Sequence, residues 1–285
     1  MSTAPDVLTE PLRLATLRNV FSVDLEDWHH LNCVDDTRYL LEALATAGVH
    51  ATFFVLGKVA EREPALIRDI AAAGHEVATH GWSHTSLMLL TPDALRIELR
   101  RSCALLQSLC GRRPFGFRAP CFSIMQETLW ALDVLIDEGF VYDSSIFPFA
   151  GRRYGLPSFP RTLVRVRRPA GSLIEAPLST VHAYGRNWPV SGGGYFRLMP
   201  YRVIRRAIRT VNREHTPFIV YCHPYEFGPR ILFHSARHSP FSWLGSRLDE
   251  LKTNLFRPSM RRKFAALLHE GDFSSFAEVL PHEHA

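Results

Sequence analysis

The sequence has 285 residues, of which 46% are hydrophobic and 21% are charged, values that are ordinary for a globular protein and exclude a disordered chain. Lys and Arg outnumber Asp and Glu by 33 to 28, a net charge of +5 that fits an acidic partner but is also usual for solubility alone. The five cysteines are odd in number and form no CxxC pair, which argues against a disulfide framework and against a cysteine zinc site.

The first residues, 1–13, contain two acidic side chains and no apolar segment, so they do not read as a secretory signal. No run approaches the ~18 consecutive apolar residues that a membrane-spanning helix needs. Together with the unpaired cysteines, these features predict a cytoplasmic protein without a transmembrane segment.

The first half of the chain alternates apolar strands with amphipathic helices. Strands are predicted over residues 19–25, 49–56, 75–79, 114–118 and 140–143. Helices are predicted over residues 36–47, 59–73, 91–109 and 126–138. This alternation predicts βαβ units and a parallel sheet, and its length suits a (β/α) barrel, with a doubly wound sheet as the alternative.

The alternation stops after Phe147, where prolines, glycines and arginines become frequent. Residues 163–167 alternate like an exposed strand, so we predict an inserted lobe of loops and hairpins over residues 147–195. A helix over 200–214, a strand over 217–222 and a helix near 260–269 follow. The predicted organisation is an N-terminal extension, 1–18, and one domain, 19–285, that includes a C-terminal helical extension, 228–285.

Polar clusters stand where five predicted strands end. They are the segments DLED (24–27), HGWSH (80–84), RAP (118–120), DSS (143–145) and HP (223–224). In a parallel barrel the carboxyl ends of the strands form one rim, and that rim carries the active site. Five clusters of complementary chemistry at strand ends therefore predict one site.

The HxxxH spacing of His80 and His84 predicts two imidazoles on one face of a helical turn, where both can bind one cation. Two unrelated surface histidines are the alternative, because the chain has 14. Asp24 and Glu26 follow a predicted strand and point the same way along it, with Asp27 beside them. Two imidazoles and one carboxylate leave coordination positions open, which is typical of a catalytic metal.

Arg118 and His223 carry weaker signals. A guanidinium at a strand end can hold a carboxylate ionised, although surface arginines are common in a basic chain. His223 follows the apolar run 217–222, so it is either a buried structural residue, the interpretation favoured on its own, or a proton donor.

In this order the clusters resemble the motifs of the polysaccharide deacetylase (NodB-homology) family. The resemblance spans residues 19–227 and is carried by HGWSH followed by Thr85, by RAPCFS and by VYCHPYEF. The phrases SVDLEDW, YDSSIFP and GGGYFRLMPY also look like the branch associated with bacterial exopolysaccharide gene clusters. The resemblance implies a distorted (β/α) barrel and a metal-dependent hydrolase. Such an enzyme removes N-acetyl groups from amino sugars of a polysaccharide, or of a lipid-linked or nucleotide-linked precursor, and releases acetate.

The resemblance implies that Asp24 is the general base and that Arg118 holds it. It implies that His223 is the general acid, oriented by Asp143, with Glu175 as the rival for that role. The backbone N–H of the residue after Pro120, Cys121, would stabilise the oxyanion.

The resemblance also implies a metal bound by His80, His84 and one carboxylate. The common family motif has two adjacent aspartates, whereas here Leu25 follows the first. Glu26 is favoured as the third ligand by strand geometry, with Asp27 as the alternative. The expected ion is zinc, with cobalt, manganese or nickel as alternatives.

Two aromatic residues of the lobe, Trp188 and Tyr195, are candidates for packing against sugar rings of an N-acetylated carbohydrate. The alternative is a structural lid with core aromatics and solvated arginines. An allantoinase-like hydrolase of small molecules and a catalytically silent carbohydrate-binding homologue are the rival functions. Arginines of 202–213 suggest nucleic-acid binding, but no recognised module supports it, so no nucleic-acid partner is expected.

Overall fold

The computed structural model describes residues 7–26, 33–151, 153–228 and 254–281. Within these ranges, ten strands form one mixed sheet and two strands form a separate hairpin. The strands are β1 (Leu8–Pro11), β2 (Asn19–Leu25), β3 (Thr52–Val55), β4 (Glu76–Thr79), β5 (Gly116–Phe117), β6 (Tyr142–Asp143), β7 (Val164–Arg168), β8 (Gly171–Glu175), β9 (Thr180–Ala183), β10 (Arg186–Pro189), β11 (Ile219–Cys222) and β12 (Phe273–Ser274). The α-helices are α1 (Cys33–Ala47), α2 (Gly57–Arg62), α3 (Pro64–Ala72), α4 (Pro92–Cys110), α5 (Trp130–Asp137), α6 (Gly193–Leu198), α7 (Tyr201–Arg213), α8 (Met260–Glu270) and α9 (Phe276–Val279).

The main sheet has the order β1-β7-β8-β6-β5-β4-β3-β2-β11. The strands from β11 through β2, β3, β4, β5 and β6 to β8 are all parallel, and β12 adds a third parallel partner to β2. The backbone N–H of Ile219 in β11 donates to Ser179 Oγ beyond β8 (2.8 Å), which links the two ends of the parallel set. This confirms the predicted distorted (β/α) barrel.

Strand residues alternate between the barrel interior and the surrounding helices. Phe54 points inward and contacts Tyr142 and Phe276, whereas Phe53 joins the outer cluster that includes Leu40 and Leu44 of α1. Full burial of a side chain of this size contributes about 1.5–3 kcal/mol. Both faces of the parallel strands are therefore covered, which is why they read as continuous apolar runs.

Short sequence signals set the ends of the helices, and the sequence prediction missed the effect of one proline. The Thr91 side chain accepts from Ala94 N–H (3.2 Å) and Gly111 ends α4 in a left-handed conformation (φ 78°), as the sequence predicts. The single helix predicted over 59–73 is wrong: Pro64 begins a new helix, α3, because proline lacks the N–H that a helix interior needs. The helix predicted over 126–138 is likewise a 3₁₀ turn, Gln126–Thr128, followed by α5.

The segment 147–195 divides between two structures. β7 and β8 extend the main sheet, and only β9 and β10 form the separate hairpin. Val164 and Val166 of β7 are buried, so the strand expected to be exposed is half inside the core. In the part of the chain that the structure describes, no helix combines the length and apolarity needed to cross a bilayer.

Candidate active site

Strand ends on one rim of the barrel surround a cavity of about 260 Å³. Its lining residues are Asp24, Glu26, His80, His84, Ala119, Cys121, Phe122, Arg153, Tyr154, Tyr221, His223 and Tyr225. Parallel pairing places the carboxyl ends of β2, β4, β5 and β11 at the same edge, which explains why residues 200 positions apart meet here. Four of the five predicted clusters line this cavity, whereas the fifth, 143–145, contacts Arg118 and Ala119 instead.

Glu26, His80 and His84 form a compact set of metal-ligating groups, with one ligand atom of each lying within 4.8 Å of the others. Glu26 Oε2 is 2.5 Å from His84 Nε2 and 3.8 Å from His80 Nε2. His80 Nδ1 donates to the carbonyl oxygen of Arg118 (2.7 Å), so its Nε2 lone pair is directed at the cluster. Two imidazoles and one carboxylate fit a divalent transition metal with open coordination positions.

The charge state of Glu26 suits a metal ligand. Burial alone would raise the pKa of Glu26, but His223, His80 and His84 together lower it well below its ordinary value. The side chain is therefore an anion despite being buried. Asp27, the alternative ligand, lies outside the described residues.

The segment carrying the two histidines is a loop, and the helical turn predicted from the HxxxH spacing is wrong. Gly81 (φ 78°) and His84 (φ 61°) both adopt left-handed backbone conformations that break a helix. The loop is held by Glu98 of α4, whose Oε2 accepts from the backbone N–H groups of Trp82 (3.1 Å) and Ser83 (3.4 Å). The loop nevertheless brings the two imidazoles close together, with ring centroids 5.4 Å apart.

Asp24 and Arg118 form a buried ion pair beside the metal ligands, with Arg118 Nη1 2.6 Å from Asp24 Oδ1. The guanidinium also donates from Nη1 to Ser22 Oγ (2.9 Å), from Nε to the carbonyl of Ser144 (2.9 Å) and from Nη2 to the hydroxyl of Ser144 (2.9 Å). It lies over the ring of Phe54, 4.0 Å from its centroid. This arrangement fixes Arg118 and, through it, the carboxylate of Asp24.

His223 faces a carboxylate that the sequence did not indicate. Its Nδ1 lies 3.6 Å from Glu226 Oε2, and its backbone N–H donates to the same oxygen (3.0 Å). Glu226 is itself held by Arg197 of α6 (3.0 Å). His223 Nε2 points to Glu26 Oε1 (3.4 Å). Burial lowers the pKa of His223, but the charges of Glu26 and Glu226 outweigh it and raise that pKa to about 9.

Asp143 and Glu175, the two predicted partners of His223, serve another part of the site. Asp143 Oδ1 accepts from Ser145 Oγ (2.5 Å), and Ser145 Oγ accepts from the backbone N–H of Ala119 (2.7 Å). Glu175 Oε1 accepts from the backbone N–H of Ile146 (3.0 Å). Through Ser145, Asp143 supports the turn after Arg118, and Glu175 holds the backbone at Ile146. The hydrogen bonds given for these two carboxyls go to residues other than His223.

The predicted substrate-binding residues lie in two places. Cys121 lines the metal cavity, in a left-handed conformation (φ 57°). Trp188 and Tyr195 line a neighbouring cavity of about 480 Å³ beside the β9–β10 hairpin. Tyr195 hydrogen-bonds Tyr154, which lines the metal cavity, so these two tyrosines lie between the cavities.

Two family profiles match consecutive parts of the chain. Residues 26–135, which contain Glu26, both histidines and Arg118, match the polysaccharide deacetylase family. Residues 144–281, which contain His223, match a domain of unknown function, DUF3473. Residues 26–135 thus resemble polysaccharide deacetylases, and residues 144–281 resemble the second family. Residues of both segments line the cavity, Glu26, His80 and His84 from the first and His223 from the second.

The chain is also similar to individual relatives and to solved structures. A peptidoglycan deacetylase-like protein of Gibberella zeae is 31% identical over 161 residues, covering 52% of this chain and 47% of that protein. The chain therefore spans about half the length of this relative. A Mycobacterium smegmatis structure assigned as a polysaccharide deacetylase superposes with a TM-score of 0.59 at 21% identity, covering 97% of this chain and 93% of that one. An allantoinase superposes with a TM-score of 0.57 at 15% identity, covering 90% and 86%. At these identities the structures establish the fold alone.

The residues that carry the family resemblance could be identified from the sequence, but several residues that support the site could not. Glu98, Glu226 and Arg197 act through tertiary contacts, and only the PYE segment next to His223 could have suggested one of them. Arg153 and Tyr154 come from the segment that was read as a lobe. The loop they occupy reaches the cavity because it folds back over the rim.

Proposed function

We propose that this chain belongs to the polysaccharide deacetylase family and is an active, metal-dependent N-deacetylase of a glycan containing N-acetylated amino sugars. The observation that carries the proposal is one cavity holding the Glu26, His80 and His84 cluster, the Asp24–Arg118 pair and His223. Zinc is the ion we propose, because two imidazole nitrogens and one carboxylate oxygen with open positions suit it.

A divalent cation held by Glu26, His80 and His84 would polarise the acetamide carbonyl and activate a water molecule. Asp24 accepts the proton of the attacking water as general base. Arg118 pairs with Asp24 and fixes the direction of its carboxylate, because four hydrogen bonds hold the guanidinium in place. The backbone N–H of Cys121 donates to the oxygen that becomes negative.

His223 is the proposed general acid, and it donates a proton to the amine as the C–N bond breaks. Its ring is placed by Tyr225, which stacks on it with centroids 5.0 Å apart and planes at 19°. Glu226, held by Arg197, fixes the backbone of His223 and faces its Nδ1. The products are the free amino sugar and acetate.

The hairpin cavity is the proposed place for a further sugar of the glycan. Trp188 is 40% exposed there, and the guanidinium of Arg186 lies 3.7 Å from the centroid of its ring. An exposed indole offers an apolar face of the kind on which sugar rings pack. Tyr195 lines the hairpin cavity and is hydrogen-bonded to Tyr154, which lines the cavity with Glu26, His80 and His84. We therefore propose that one chain of sugars occupies both cavities.

Asp24→Asn is the decisive variant for the catalytic proposal. It removes a base but no metal ligand, so we expect zinc content to stay at one per chain while turnover of an N-acetylglucosamine oligomer falls by about 10²–10⁴-fold. Asp69→Asn, on the exposed face of α3, is the matched control and should leave both unchanged. Turnover by Asp24→Asn close to that of the wild type would exclude Asp24 as the base.

The rival functions are tested with the same protein. A silent carbohydrate-binding homologue would bind the oligomer and release no acetate. An allantoinase-like hydrolase would open a cyclic ureide faster than it deacetylates the oligomer. For the hairpin cavity, Trp188→Ala should weaken oligomer binding at unchanged metal content, and equal affinity would leave the hairpin with a structural role.

A further inference from the structure

Three arginines of the 147–195 segment form ion pairs with carboxylates of neighbouring elements. Arg161 contacts Glu214 (2.6 Å), Arg167 contacts Glu10 (2.8 Å) and Arg168 contacts Asp133 (2.5 Å). These guanidinium groups are occupied by carboxylates of neighbouring elements. They stabilise the lobe on the barrel and are not free to bind an anionic ligand.

Arg153 differs from them in position and in partners. It lines the metal cavity, it is exposed, and it makes no ion pair with a carboxylate of the described residues. The two carboxylates that line the same cavity are already engaged, Asp24 by Arg118 and Glu26 by the ligand histidines. Arg153 therefore brings a positive charge to the substrate's space that no described side chain neutralises.

The loop that carries Arg153 is firmly packed. Tyr154 stacks on Phe147, with centroids 6.0 Å apart and planes at 18°, and contacts Phe122 and Phe149. A Cβ at Gly155 would lie 2.2 Å from the carbonyl oxygen of Phe149, so the turn closes tightly on itself. The residues that follow Arg153 are thus packed in place beside the cavity, and the flexible side chain of Arg153 can adjust to a ligand there.

A guanidinium has a planar set of N–H donors that matches the two oxygens of a carboxylate or a phosphate. Neutral N-acetylglucosamine units have no group that would use this donor set fully. We propose that Arg153 is a specificity-determining residue that binds an acidic group, a carboxylate or a phosphate, next to the N-acetylated sugar. This inference rests on the proposed deacetylase function and narrows its substrate class to acidic glycans or phosphate-linked sugars.

The test compares three probes that share an N-acetylglucosamine. They are a tetrasaccharide of alternating N-acetylglucosamine and glucuronic acid, uridine diphosphate N-acetylglucosamine, and the neutral N-acetylglucosamine tetramer. Acetate release gives kcat/KM, and calorimetry gives the dissociation constant, for wild type, Arg153→Gln, Arg153→Lys and the control Arg167→Gln. The two acidic probes separate a uronic acid from a phosphate as the source of the charge.

We expect the wild type to prefer one acidic probe over the neutral tetramer by about tenfold or more, the usual contribution of a charged hydrogen bond. Arg153→Gln should lose that preference and keep its value for the neutral tetramer. Arg153→Lys should keep part of it, and Arg167→Gln should keep all of it. Higher salt should weaken binding of the preferred acidic probe more than binding of the tetramer.

Several results would overturn the inference. They are equal affinity of the wild type for acidic and neutral probes, an acidic preference that survives in Arg153→Gln, and no binding of either acidic probe. A protein that binds the acidic probe through Arg153 but releases no acetate from any probe would refute the deacetylase function and leave the specificity inference intact. The two failures are therefore distinguishable.

Discussion

Replacing Arg118 with methionine should destabilise the protein more than any other single arginine change discussed above. The guanidinium is fully buried, makes four hydrogen bonds and forms the ion pair with Asp24. Methionine fills similar volume but leaves the Asp24 carboxylate buried without its cation. Breaking a buried pair from one side costs about 3–5 kcal/mol. The free energy of unfolding, measured by urea titration, should fall by that amount in Arg118→Met.

The control and the double variant isolate the cause. Arg167→Met removes a half-exposed partner of Glu10 and should cost less than about 1 kcal/mol. Asp24→Asn combined with Arg118→Met removes both charges, so it should recover part of the loss, with a coupling of about 0.5–3 kcal/mol. A loss in Arg118→Met no larger than that in Arg167→Met would refute the reasoning that the buried charge dominates.

The remaining predictions concern the metal, its supporting loop and the buried carboxyls. His84→Ala and Glu26→Ala should each lower zinc content measured by elemental analysis, and full retention in either would remove that residue from the ligand set. Glu98→Gln should lower zinc affinity in a chelator competition by about 10–100-fold because it loosens the loop that carries His84, and unchanged affinity would assign Glu98 to fold stability alone. Burial, followed by the charge of Asp143, raises the pKa of Glu175 well above its ordinary value, so the folded protein holds a proton that the unfolded chain releases above about pH 4. Stability should therefore fall as pH rises above about 4, the ordinary range of a glutamate, and it should fall less in Glu175→Gln. The same dependence of the urea midpoint on pH in both proteins would contradict this.

The barrel and the metal cluster could be predicted from the sequence because both depend on short-range patterns. Apolar runs followed by Gly and Pro mark the parallel strands, and parallel strands align their carboxyl ends. Asp24, Glu26 and Arg118 each stand at the end of such a run. Their position at the rim of the barrel therefore follows once the strand end is known to within a few residues. His80 follows β4 in the same way.

The partners of these residues could not be predicted, because they come from elements whose approach depends on the whole fold. Glu98 reaches the histidine loop from the middle of α4, and Arg197 reaches Glu226 from a short helix of the 147–195 segment. The contacts of Asp143 could not be predicted for the same reason. A side chain at a strand end can contact a neighbouring strand or the loop that follows its own strand. Asp143 contacts Ser145 of the loop that follows it.

The position of β2 sets an order for the folding of the chain. β2 is near the start of the sequence, yet two of its neighbours, β11 and β12, come about 200 and 250 residues later. During synthesis, the edge of the strand that carries Asp24 is not covered until residues 219–222 and 273–274 have left the ribosome. Pairings this distant in sequence form slowly, because much of the chain must be ordered before they are made. Until then the exposed edge of β2 is open to pairing with other chains, so aggregation during expression should depend on how quickly residues 219–222 and 273–274 arrive.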